Sequence, residues 1–317
     1  MKKYPSLTNH YNAKDIKRLK ECSEYDELKD GVRWVVQEKI HGANFSIKFN
    51  CDGTTQYFSR NNDITGENFY NAKDVIDDTI KSLHSILVEA VETNTNYIIF
   101  GELFGGNIQK GVNYGNDKRI LFFDCFVEEN TSYFMSPSNF DGFAEQHKIQ
   151  TVPLIGIYND FETAMEVNTE FNSYLTPKDH EGDNMCEGVV IKPYHVTLYT
   201  PLGQLFYIKK KNEKFKEKQR VKQPVKINSE VERWKGEFEA YVNEERLQSV
   251  MSKFGDITDE NQIKSYIGYV VNDAKETFLK EEPEFDETKF DKKELKSIYN
   301  VGGLVYNLIL NHWKEKC

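Results

Sequence analysis

The chain has 317 residues, a net charge of −10 at pH 7, and is 38% hydrophobic and 29% charged, enough to bury one large or two modest cores. It has no apolar run long enough for a membrane span, and Met1-Lys2-Lys3-Tyr4-Pro5 lacks a signal peptide's hydrophobic core, so an intracellular protein is expected. Five dispersed cysteines without a CxxC pair argue for reduced thiols and against a zinc site or disulfide framework.

The first patterned segment is chemically loaded. Val32, Trp34, Val35 and Val36 lead into Glu38-Lys39-Ile40-His41-Gly42-Ala43-Asn44, after which Phe45, Ile47 and Phe49 alternate with polar residues. That pattern predicts two strands joined by a tight turn. A lysine at a strand end is usually just solvated, but desolvation and nearby positive charge can make it an amine nucleophile. Gly42 lets a phosphate approach the backbone. Ser59-Arg60-Asn61 then places an arginine after a strand, and Ala72–Val91 carries apolar residues at helical spacing.

Tyr97–Glu102 and Ile120–Phe126 read as buried strands. The first ends in Glu102, whose unpaired burial would be costly; a ribose hydroxyl or metal-bound water suits it. In the second, Phe122 and Phe123 point to opposite faces, so one can be core and the other a ligand platform. Asn139–His147 and Phe161–Asn172 are expected helices. Glu187-Gly188-Val189-Val190-Ile191-Lys192 puts a carboxylate before a glycine and an apolar strand, which suits a Mg²⁺-water ligand. Leu205–Ile208 is a further strand, and alternation sends the following Lys209 and Lys211 to one face.

Lys209–Lys226 holds nine basic and two acidic residues, a local net of +7. For a nucleic-acid partner this distribution matters more than the acidic total. After Pro224 strand signals nearly vanish. Helices are expected over Val231–Phe254, Gln262–Phe278 and Lys292–Lys314, with a helix N-cap region at Asp256–Asp259. The expectation is an α+β domain over residues 1–225 and a small all-helical domain over 226–317.

The motifs from Trp34 to Lys218, in their order, resemble the covalent nucleotidyltransferases, the superfamily of DNA ligases, RNA ligases and capping enzymes. His41, where most members carry aspartate, resembles the RNA ligase 2 family of phage-type and RNA-editing ligases. Ala43 stands where that family usually has threonine, which removes one possible hydroxyl contact. The resemblance implies a nucleotidyltransferase (ATP-grasp-like) domain of antiparallel sheets with flanking helices. It implies that Lys39 attacks the α-phosphorus of ATP and carries AMP. Glu38 would help position adenine, with Ile40, His41 and Asn44 close to the nucleotide and Arg60 at the ribose and later the 5′-phosphate. Glu102 would meet the ribose or a metal-bound water; Phe123 and Val190 would wall the adenine; Asp124 would orient the surroundings of Lys39. Glu187, with Glu102, would hold Mg²⁺ (Mn²⁺ as substitute), and Lys209 and Lys211 would stabilise charge on the α-phosphate and favour the free amine of Lys39. Lys192 would reach a phosphate or the nick.

The implied activity is ATP-dependent sealing of 3′-OH/5′-phosphate nicks in duplex or bridged RNA, by a monomer with no membrane partner, cytoplasmic if phage or viral. A GTP-using capping enzyme normally carries KxDG and a following OB-fold, neither of which is seen here. A non-catalytic RNA- or nucleotide-binding protein that kept the fold is the alternative of a different class.

Overall fold

A computed structural model describes residues 2–12, 16–17, 20, 31–199, 204–215 and 230–314. The chain divides into two compact units, Met1–Lys214 and Phe215–Cys317. The expected domain boundary and most of the basic run, residues 216–226, lie outside the described residues. Among the described residues no helix is long and apolar enough to cross a membrane, and Cys51, Cys125 and Cys186 are free thiols.

The first unit is built on two five-stranded sheets. One runs in the order β1 (Thr8–Asn9), β10 (Ile208–Lys211), β9 (Gly188–Pro193), β2 (Trp34–Glu38), β8 (Leu154–Tyr158). The other runs β4 (Thr55–Ser59), β3 (Ala43–Phe49), β5 (Asn96–Phe104), β6 (Arg119–Glu128), β7 (Tyr133–Phe134). All pairings are antiparallel except β1 with β10, which is parallel. The Lys39 turn is therefore the crossing from one sheet to the other.

Period-2 alternation explains the packing of β3 and β5, and along β6 the phase shifts by one at Phe123, the extra residue of a β-bulge opposite Phe100 and Gly101. Ala43, Phe45, Ile47 and Phe49 of β3 join Ile99, Leu103, Phe122 and Cys125 in a core, covered by Ile76, Leu83, Ile86, Ala90, Phe140 and Phe143 from flanking helices. On the opposite face Ile98, Phe100 and Phe126 pack with Tyr4, Leu205 and Tyr207. Ala43 is fully buried in the apolar core.

Several helices are shorter than the periodicity predicts. The expected Ala72–Val91 helix is two, α1 (Lys73–Ser82) and α2 (His84–Thr93), broken at Leu83 (φ −97, ψ 18), whose buried side chain re-phases the apolar stripe. The helix expected over Asn139–His147, α3, starts two residues earlier and covers Pro137–His147 with Ser136 as its cap, and α4 covers only Phe161–Glu166 of the expected Phe161–Asn172. Leu205 makes an isolated bridge to Tyr199, and the strand expected from Leu205 begins only at Ile208.

The second unit is all helical in its described residues: α5 (Glu230–Glu239), α6 (Glu244–Phe254), α7 (Ile263–Glu281), α8 (Lys292–Ile298) and α9 (Gly302–Lys314), with short 3₁₀ turns. Its core gathers Trp234, Phe238, Leu247, Val270, Phe278 and Val305. The expected Val231–Phe254 helix breaks because Asn243 caps a new one, its side chain accepting from Arg246 N. The last expected helix likewise divides at Tyr299–Val301, after a segment opened by an Asp291/Glu294 capping box. Asp259 accepts from Asn261 N at 2.8 Å, capping the 3₁₀ turn that precedes α7.

Candidate active site

The end of β2, the β2–β3 turn and the starts of β9 and the β5–β6 loop meet around Glu187. Lys39 N donates to Gly188 O and Asn212 N to Glu187 O, both at 2.9 Å, so the backbone fixes lysine and glutamate as neighbours. Lys39 Nζ lies 2.7 Å from Glu187 Oε2, and Lys211 Nζ lies 3.1 Å from Oε1. His41 Nδ1 stands 3.4 Å from the same carboxylate, while its Nε2 is 2.8 Å from Lys110 O. Burial pushes the Glu187 carboxyl up, but Lys39, Lys211 and His41 together outweigh it and hold it well below the usual carboxylate range.

The turn itself is anchored from outside. Glu38, 1% exposed, accepts from Ser173 Oγ at 2.5 Å and from Tyr174 N at 3.0 Å. Burial still raises its carboxyl against those hydrogen bonds. His41 N donates to the hydroxyl of buried Tyr114 at 3.0 Å. Ile40 is buried, and Asn44 faces Glu102 across the β3–β5 ladder.

Glu102 feels Lys39, Arg60 and Glu187, and accepts from Gly42 N. Burial pushes its carboxyl up to about 7, with Glu187 adding to the rise and the two cations opposing it. Arg60 follows β4 and its Nη2 donates to Ser6 Oγ at 3.1 Å.

In β6 and β9, Phe123 and Val190 are half-exposed while their neighbours in the middle of each strand are buried. Phe122 is core. The Phe123 ring lies edge-on to Tyr4, centroids 5.1 Å apart. Beneath it Asp124, 0% exposed, pairs with Lys192 Nζ at 3.0 Å and accepts from Tyr4 and Tyr207 hydroxyls at 2.5 and 3.4 Å. Lys192 also donates to Phe123 O at 2.8 Å. Burial pushes Asp124 up and Lys192 down, each opposed by the other's charge. One expectation changes here: Lys192, 1% exposed, is spent on Asp124 inside the protein rather than reaching a phosphate.

Alternation along β10 holds. Lys210 Nζ turns to Met165 O and Val167 O, at 2.7 and 2.8 Å, while Lys211 faces Glu187, and the same alternation assigns Lys209 to the Lys211 side. Among the described residues no three His, Cys, Asp or Glu side chains form a metal cage. The ordered contacts of Tyr4, Tyr114 and Tyr174 had no signal in the sequence: each lies in a segment without hydrophobic periodicity and acts through contacts far along the chain.

The family described as RNA ligase matches residues 32–223, and that described as T4 RNA ligase 2 C-terminal matches residues 225–301. Among solved structures, an apo mutant of Naegleria gruberi RNA ligase is 16% identical with a TM-score of 0.49, covering 67% of this chain and 56% of that one. A mutant of the same ligase with ATP and Mn is 17% identical (TM-score 0.48; 68% and 57% covered), and one with AMP and Mn is 17% identical (TM-score 0.48; 67% and 56% covered). The chain thus spans a little over half the length of those ligases. With more than half of its residues matched by the first family and the segment behind them by the second, the chain belongs to the RNA ligase family, in its RNA ligase 2 branch.

Proposed function

We propose that this protein is an ATP-dependent RNA ligase that joins 3′-OH and 5′-phosphate ends in nicked or bridged duplex RNA. The observation that carries the reading is the Lys39–Glu187–Lys211 constellation, a lysine at a sheet crossing whose carboxylate partner is held by a second cation. In the first step the free amine of Lys39 attacks the α-phosphorus of ATP, a P–N bond forms and pyrophosphate leaves. In the second, an oxygen of the RNA 5′-phosphate displaces Lys39 from that phosphorus, which yields a 5′-adenylylated RNA. In the third, the 3′-OH attacks the RNA phosphate, loses its proton, and AMP departs.

Each residue's part follows from its surroundings. Phe123 and Val190 present the half-exposed surfaces suited to the adenine ring, with Glu38 at the lysine's other side. Lys209 and Lys211 offset charge that develops on the α-phosphate. Arg60 supplies a further cation, and Asn44 and Glu102 offer polar contacts for the ribose. Glu187 and Glu102 are hard oxygen donors, which fit a Mg²⁺ that keeps most of its water and takes further ligands from phosphates. When bound there, the ion neutralises phosphate charge. Ionised Glu187 holds the Lys39 side chain in place and gives up its cations to the incoming phosphate.

The test is incubation with Mg²⁺ and α-³²P-ATP or α-³²P-GTP, then denaturing electrophoresis, acid treatment and sealing of a nicked RNA duplex. An acid-labile, ATP-specific label followed by sealing is expected. A GTP-specific label would make the protein a capping-type enzyme. No label from protein stripped of AMP would make it a binding protein.

A further inference from the structure

The β5–β6 loop and the loop leading into β9 enclose a cleft of about 950 Å³, large enough for a nucleotide. Its walls include Tyr114, Arg119, Tyr174, Thr176, Lys178 and His180. Neither the steps above nor the motifs around Lys39 use it.

The cleft is laced together rather than left between loose loops. Asn184, 4% exposed, donates from Nδ2 to Asn113 O at 2.7 Å and to Thr176 Oγ1 at 2.9 Å, and its Oδ1 accepts from Asn113 N at 2.7 Å. Tyr174 is 65% exposed, the most of any large hydrophobic side chain among the described residues. Single exposed aromatics are common, but this one is fixed. Its ring is braced by Phe171 (centroids 5.7 Å apart) and its backbone N–H is tied to Glu38. A pre-ordered exposed ring is a stacking surface that loses little entropy on binding.

The polar lining narrows the ligand. Arg119 and Lys178 are matched by Asp117, Asp179 and Glu181, so the cleft lacks the surplus positive charge that a polyphosphate demands. Amide, hydroxyl and carboxylate groups suit a base edge and ribose hydroxyls instead. His180 bonds Asn113 Nδ2 through Nδ1 at 3.0 Å, while its buried Nε2 has no hydrogen-bond partner, so the wall retains unspent capacity.

We propose that this cleft receives one ribonucleotide of the RNA substrate, its base stacked on Tyr174. The identity of the ligand rests on the ligase reading. The same walls grip both flanks of the lysine: Tyr114 accepts from His41 N–H and Tyr174 donates to Glu38. A nucleotide in the cleft therefore bears on the frame that orients Lys39.

The experiment uses the full chain and a nicked RNA duplex carrying 2-aminopurine at each nucleotide flanking the nick in turn, with Tyr174→Ala and Tyr174→Phe. One position should lose fluorescence on binding to the unaltered protein and to Tyr174→Phe, but not to Tyr174→Ala, whose RNA affinity should fall roughly 5- to 100-fold. Quenching and affinity unchanged in Tyr174→Ala would overturn the proposal. Lys39-AMP labelling runs in parallel: a labelled protein with unchanged RNA binding in Tyr174→Ala defeats the cleft and leaves the ligase reading standing. An unlabelled protein defeats the ligase reading, and the fluorescence still decides the cleft.

Discussion

Glu187 and Asp124 are both buried carboxylates held by a lysine, yet the regions around them differ in kind. Glu187 meets Lys39, Lys211 and His41, and the Lys39 side chain is 21% exposed. Asp124 meets one cation, Lys192, and two phenols, and both charged partners are at most 1% exposed. A surplus of cations holds Glu187 well below its ordinary range, whereas burial with one cation pushes Asp124 up. The first region can exchange its carboxylate for another anion. The second is charge-balanced and closed, and its product is a fixed Phe123.

The largest effect should come from Lys39→Ala. Lysyl-AMP labelling should drop by at least about 10⁴-fold, with the circular dichroism spectrum and melting temperature nearly unchanged. Retained labelling would assign the nucleophile elsewhere. Lys192→Met tests the closed region: it strands a buried carboxylate and should destabilise the fold by about 3–5 kcal/mol in urea unfolding. Adding Asp124→Leu should restore most of that loss. If Lys192→Met proves as stable as the parent, the contrast between the two regions is broken.

Glu187→Gln should slow adenylylation by about 10²- to 10³-fold and cost less stability than Lys192→Met, because the cations it leaves behind, Lys39 and Lys211, are 21% and 13% exposed and reach solvent. Unfolding of this variant would mean that the open region is a scaffold too. The smallest effect is expected at Glu102. Its carboxyl is raised to about 7 from an ordinary 4.5, so the folded state holds the proton more tightly than the unfolded chain. Its favourable contribution is complete below pH 4.5, falls as pH rises to about 7, and is absent above. Glu102→Gln should therefore be more stable than the parent by about 2 kcal/mol at pH 8, after discounting for partial exposure. The two should converge near pH 4.5, and a pH-independent difference would sink the assignment.

Much of the open region was legible because its residues stand next to strands whose alternation is strong. Lys39, Glu187 and Lys211 can be phased from Val36, Val189 and Ile208. The closed region was not, because Lys192 has the same pattern whether it serves a ligand or Asp124, and its partner lies 68 residues away. Tyr4, Tyr114 and Tyr174 escaped for the same reason. In the helices, the stripes were read but the interruptions at Leu83 and at Tyr299–Val301 were not, since a break of one to three residues preserves the apolar count on each side. Asn243 was a readable signal, a capping residue before Glu244-Glu245, overridden by the apolar spacing around it.

Gly42 and Gly188 carry a separate consequence. A Cβ at Gly42 would collide with the Leu103 carbonyl oxygen, and one at Gly188, where φ is +147, would collide with that of Lys210. Both obstacles are backbone, which no rotamer change can clear. In a saturation library these two codons should therefore return glycine alone, whereas the solvent-facing Leu154 and Ile157 of β8 should drift freely toward polar residues. Sequence space around the lysine is closed from two sides by main chain, and drift in this protein must go around that crossing rather than through it.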